Sequence, residues 1–61
     1  MPEFKTYGEA AKQLPPDAKW SSSFGNPGEG GYTEFHRDPR GQRYIIKSDE
    51  FQDVWTVEVV P

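Results

Sequence analysis

The sequence predicts an α+β fold: a short N-terminal helix packed on a three- to four-stranded, mainly antiparallel sheet, in the order helix, strand, strand, strand, strand. Three observations carry it. A capped apolar stripe runs from Thr6 to Leu14 and stops at Pro15-Pro16. Two β-prone runs, Tyr32 to Arg37 and Gln42 to Lys47, flank Asp38-Pro39-Arg40-Gly41, which is built for a tight turn. Val54 to Val60 is β-branched or aromatic everywhere except Glu58.

Size bounds the rest. At 61 residues the chain is one domain, with no cysteine and nine aromatic residues. A domain of this length buries only about 60% of its unfolded surface, so an aromatic core is expected to carry most of the burial. No apolar run reaches the roughly 20 residues that span a bilayer, and the start lacks a basic and then apolar leader, so a cytoplasmic location is the expectation.

In chain order, Met1 to Lys5 reads as an extended lead-in with Phe4 packing inward. Thr6-Tyr7-Gly8-Glu9 has capping-box spacing, in which the Thr hydroxyl accepts from the third helical amide and the Glu reaches back. Tyr7, Ala10, Ala11 and Leu14 then fall at i, i+3, i+4 and i+7, one apolar stripe. The prolines end the helix after about two turns, too short to persist without packing.

Asp17 to Gly25 alternates Ala18, Trp20, Ser22 and Phe24 against Lys19, Ser21 and Ser23, the period of a strand buried on one face. Residues 25–31 hold four glycines and a proline and read as a flexible loop. A phosphate cradle is disfavoured there: no helix follows the glycines, no Gly-Lys-Ser/Thr ends them, and Glu29 repels anions.

The central hairpin admits two registers. A type I turn with Gly41 as a bulge sets Phe35 against Ile45, His36 against Tyr44 and Glu34 against Ile46. A plain four-residue loop sets Phe35 against Tyr44 and Thr33 against Ile46, which gathers Glu34, His36, Arg43 and Lys47 on the other side. Turn chemistry favours the first and segregation of apolar side chains the second. Ser48 to Asp53 is a polar connection with room for one helical turn. Val54 to Val60, from its composition, is expected in the middle of the sheet or covered on both faces.

Chemistry is sparse. His36 is the only side chain with an ordinary pKa near neutrality, and a lone strand histidine is expected to be a half-exposed surface residue. Asp49, Glu50 and Asp53 lack the ligand pattern and turn glycine of a calcium loop. No nucleophile elbow frames the serines. No catalytic residue, metal site or cofactor is therefore predicted. Charge is uneven: the hairpin is basic, whereas residues 49–61 hold four acids and no base, within a net charge of −3.

Binding is the class that remains. The expected activity is to bind and modulate a larger protein through a basic hairpin tip, Arg37, Arg40 and Arg43, with Tyr32 or Tyr44 as an exposed aromatic anchor and His36 and Lys47 alongside. The alternatives are a nucleic-acid-binding hairpin using the same cations, disfavoured by the pI of about 4.9, and an acidic nucleic-acid mimic. An uncovered sheet edge also leaves pairing with a second copy open.

Overall fold

The computed structural model describes residues 2–25 and 31–61. The flexible loop expected at 25–31 falls mostly on residues outside that description. The order is α1 (Tyr7–Ala11), β1 (Lys19–Phe24), β2 (Tyr32–Arg37), β3 (Arg43–Ser48) and β4 (Trp55–Val60), with the strands in one antiparallel sheet of order β1-β2-β3-β4. The expected α+β architecture is the one found.

Helix α1 begins as its sequence requires. The Thr6 hydroxyl accepts from the Glu9 amide at 3.2 Å, and the Glu9 carboxylate reaches back to the Lys5 amide at 3.4 Å, one residue before the cap. The helix spans only five residues, after which Gln13 and Leu14 donate to Ala10 and Ala11 in tightened turns. Its stripe is correspondingly narrow: Ala10 is fully buried, Ala11 and Leu14 half-buried, and Tyr7 40% exposed. Because alanine has almost no side chain, α1 sits close against Ile46 and Trp55, and these three residues form the buried core. Phe4, Leu14, Tyr32 and Val57 close round it.

The hairpin adopts the bulged register. Gly41 donates to the Asp38 carbonyl at 3.0 Å and has φ +89°, the left-handed geometry that glycine takes without a Cβ penalty. Asp38 fastens the turn from within. Its Oδ1 accepts from the Arg40 and Gln42 amides at 3.0 and 2.9 Å, and its Oδ2 from the Arg40 guanidinium and the Tyr44 hydroxyl at 3.0 and 3.2 Å. Phe35 thus faces Ile45, His36 faces Tyr44 and Glu34 faces Ile46.

Two strands differ from expectation. In β1 the register slips between Trp20 and Ser22, so Ser21 is an extra residue. The slip puts Trp20 opposite His36 and Phe24 opposite Thr33, on opposite faces of the sheet rather than together. As an edge strand β1 is almost wholly exposed, where burial of one face was expected. Strand β4 is the other edge, not a central strand. Its outer side is protected at the start, where Phe4 and Trp55 exchange backbone hydrogen bonds of 2.8 Å each way, so the lead-in serves as a one-residue fifth strand. The connection between β3 and β4 contains a turn in which Asp49 caps the Asp53 amide at 2.9 Å and Gln52 takes φ +58°.

Candidate interaction surface

The sheet register assigns every strand residue to a face, since cross-strand partners point the same way. The face under α1 carries Tyr32, Glu34 and His36 from β2, Tyr44, Ile46 and Ser48 from β3, and Trp55, Val57 and Val59 from β4. Its part under α1 is buried and contains the acid and the imidazole, whereas Val59 is 62% exposed, as is Trp20, opposite His36, at 60%.

Glu34 is 6% exposed and His36 9%. A carboxylate is tolerated there only with its lone pairs filled. Tyr7 from α1 donates to Oε1 at 2.5 Å, Tyr32 donates to Oε2 at 2.6 Å, and His36 Nε2 lies 2.6 Å from Oε1. Burial pushes the Glu34 carboxyl up, but the bonds from Tyr32, Tyr7 and His36 outweigh it and hold the group below the usual glutamate range. The same contact pushes the Tyr7 hydroxyl up to about 12. Trp55 seals the cluster edge-on against both phenol rings, at centroid distances of 5.3 and 6.2 Å. The cluster joins helix to sheet. Both Glu34 oxygens, the two phenol hydroxyls and His36 Nε2 are occupied within it.

The opposite face has no helix over it, and among the described residues no other element packs there. It reads as three rows across the sheet. Lys19, Arg37, Arg43 and Val60 form the first, at the hairpin-tip end; Ser22, Phe35, Ile45 and Glu58 the second; Phe24, Thr33, Lys47 and Thr56 the third. Phe24 is 63% exposed and meets Phe35 edge-on at 5.5 Å. Glu58 is the one acid among these strand positions, and it lies 3.6 Å from Lys47. Lys19, Arg37 and Arg43 are exposed, and among the described residues no acid comes within 4.0 Å of any of them.

The predicted site residues therefore separate. Arg37, Arg43 and Lys47 share the open face. Arg40 stays at the tip, exposed yet bonded to Asp38. Tyr44 is half-buried and bonded to Asp38 from the other face, and Tyr32 is half-buried and bonded to Glu34, so neither ring is the exposed anchor expected. His36 is buried rather than half-exposed, and its Nε2 is held by Glu34. Lys19, Phe24 and Phe35 belong to the open face and were absent from the predicted set. The hairpin register alone would have put Phe35 beside Arg37 and Arg43. The strand-one residues could not be placed, because the extra Ser21 reverses the face of everything after it.

Fold and surface together define a small α+β domain whose sheet is partly covered by a short helix on one side and presents a basic and aromatic face on the other. No family model, no curated protein and no solved structure matches the chain.

Proposed function

We propose that this domain is a non-catalytic binding module that engages and modulates a larger protein through its open sheet face. Arg37 and Arg43 supply the charged contacts, and Phe24, Phe35 and Ile45 the apolar ones. The observation behind the reading is the row Lys19–Arg37–Arg43. Like charges directly opposite one another on a sheet cost stability, on the order of 0.2–1 kcal/mol per pair, and nothing in the fold requires them there. They are explained if an anionic partner neutralises them. Aromatic and arginine side chains side by side are also the residue types that dominate binding energy at protein interfaces.

A second reading, single-stranded nucleic acid, is favoured by one observation: the Phe24–Phe35 ring pair beside cations is a base-stacking platform. The charge layout favours protein. Asp49, Glu50 and Asp53 lie in the β3–β4 connection, at the opposite end of the sheet from the cation row, so a phosphate chain running along the sheet meets repulsion. The proposal includes a cytoplasmic setting; no helix among the described residues is long and apolar enough to cross a membrane.

Capture from native lysate with the tagged domain tests the reading, with nuclease-treated and untreated samples compared against the Arg37→Ala/Arg43→Ala double variant. A polypeptide retained after nuclease treatment and lost with the double variant is the expected result. Binding that disappears with nuclease, or that ignores both arginines, refutes it.

A further inference from the structure

Three of the four cations at strand positions on the open face crowd towards one end, with Lys47 two rows away beside Glu58. Lys19, Arg37 and Arg43 are successive cross-strand partners, whose β-carbons stand about 5 Å apart. The Arg37 guanidinium leans over the turn, 3.7 Å from where a β-carbon on Gly41 would sit. Arg43 lines an open cleft of about 430 Å³ with Arg40, Gly41 and Val60 at the same end. Guanidinium groups keep their charge at any physiological pH and present paired donors that match a tetrahedral oxyanion.

Resting on the protein-binding reading above, we propose that this end of the face is a site for a dianionic phosphate carried on a polypeptide. Arg37 and Arg43 hold the phosphate oxygens, Lys19 supplies the third charge, and an apolar side chain next to the phosphorylated residue rests on Phe24 and Phe35. Charge supports a phosphate over a single carboxylate: one carboxylate leaves most of the cluster's repulsion in place, whereas a dianion with several acceptor oxygens can engage both guanidiniums at once. The acids near the cluster do not already fill it. Asp38 is committed to Arg40, Tyr44 and two amides, and Glu58 lies by Lys47. Asp17 and Asp38 line the cleft that Lys19 and Arg37 share, and neither acid comes within 4.0 Å of either cation. The acids at the far end of the sheet limit the site to a compact charge and disfavour an extended polyanion.

The test uses four probes with the intact domain: a short peptide with one phosphoserine beside a phenylalanine, its unphosphorylated form, a form with two glutamates in place of the phosphoserine, and an eight-nucleotide oligo-dT. Binding is followed by amide and arginine side-chain NMR shifts. The phosphopeptide is expected to bind at least tenfold tighter than its unphosphorylated form and to shift Arg37 and Arg43. Arg37→Ala and Arg43→Ala should each weaken it fivefold or more, and Lys12→Ala on the helix should not. Equal affinity for the phosphorylated and glutamate forms overturns the phosphate assignment while leaving the protein-binding reading standing. Tighter binding of oligo-dT, with neither acidic peptide bound, overturns both.

Discussion

Replacing Tyr7 with phenylalanine isolates the contact that fixes the helix to the sheet. The substitution keeps the ring against Trp55 and removes only the hydroxyl that donates to Glu34 Oε1 at 2.5 Å. Its size can be reached by two routes. Hydrogen bonds to a charged acceptor contribute about 1.5–3 kcal/mol, and Tyr7 is 40% exposed, which puts this one near the lower bound. Raising the phenol from 10.0 to about 12 corresponds to about 2.7 kcal/mol in full, a ceiling that also includes burial of the ionised phenol and its repulsion from Glu34, and solvent screening at a partly exposed ring reduces it to roughly half. Both routes give about 1.5 kcal/mol. In a 60-residue domain each kcal/mol moves Tm by about 4–8 °C, so Tyr7→Phe should melt roughly 6–12 °C below the parent.

The pH dependence gives a sharper check than the shift itself. Glu34 has a folded pKa below its unfolded one, so its contribution is complete above the unfolded value of 4.5 and declines as pH falls through the folded value. Tyr7 has a raised folded pKa, so its contribution is complete below pH 10 and declines as pH rises from there towards 12. The stability gap between parent and Tyr7→Phe should therefore be widest between about pH 5 and 9 and narrow on both sides. Urea unfolding followed by tryptophan fluorescence and far-ultraviolet circular dichroism across that range measures it. A gap that stays constant from pH 3 to pH 11, or a Tm within 2 °C of the parent at pH 7, refutes the reasoning.

Four further outcomes follow from the same structure. Ile46 is fully buried at the centre of a three-residue core, so Ile46→Ala should lose about 2–5 kcal/mol. Against a total of about 3–9 kcal/mol for this length, the variant should be partly unfolded at 37 °C by circular dichroism. Gly31→Ala should cost more than Gly41→Ala in chemical denaturation. Both have positive φ, worth about 1–2 kcal/mol, but a β-carbon on Gly31 would also sit 2.7 Å from the Ser48 carbonyl oxygen, whereas Gly41 has only the Arg37 side chain nearby. At Asp38, Asn keeps an acceptor for the Arg40 and Gln42 amides and Ala keeps none. Asp38→Asn should accordingly preserve hydrogen-exchange protection across β2 and β3 better than Asp38→Ala. Arg43→Thr should raise stability by a few tenths of a kcal/mol in urea unfolding, because it removes a like-charge neighbour of Arg37 and adds a β-branched residue to a central strand. A loss of 0.5 kcal/mol or more would show that the cation row is structural.

How far the sequence revealed this fold depends on how local the deciding interactions are. The Thr6 cap on Glu9 and the Asp38 to Gly41 turn are each settled within four residues, and both formed as read, whereas the helix ends at Ala11, before the prolines expected to stop it. The hairpin register turned on a conflict between turn geometry and face segregation, and turn geometry prevailed. Segregation misled because Glu34 and His36 count as outward residues by type, while in the fold two phenols and one imidazole fill the Glu34 carboxylate. Tyr7, 27 positions away, supplies one of those bonds, and no spacing rule points to it. Strand β1 formed over the expected residues, but the facing of its side chains was misread through one inserted residue. Period-two reading has no means of seeing a bulge that only the partner strand defines.

The buried polar trio of β2 and the bulge of β1 together have one structural consequence for binding. With the polar trio of Tyr32, Glu34 and His36 drawn under the helix, the alternate residues of the same strand, Thr33, Phe35 and Arg37, must face the side the helix leaves open. The Ser21 bulge then turns Phe24 to that side as well, next to Phe35, while Trp20 goes to the other face. Had β1 continued without the bulge, Phe24 would lie on the helix side with Trp20, and the basic row would have no exposed ring on its own face. Deleting Ser21 removes the extra residue and leaves the remaining pairs consecutive, so Trp20 should stay opposite His36 and Phe24 opposite Thr33 in a regular ladder. The edge-on contact of Phe24 with Phe35 should then persist in nuclear Overhauser data, and binding with it. Loss of that contact would show that the bulge itself, rather than the pairing with β2, holds the Phe24 ring on the open face.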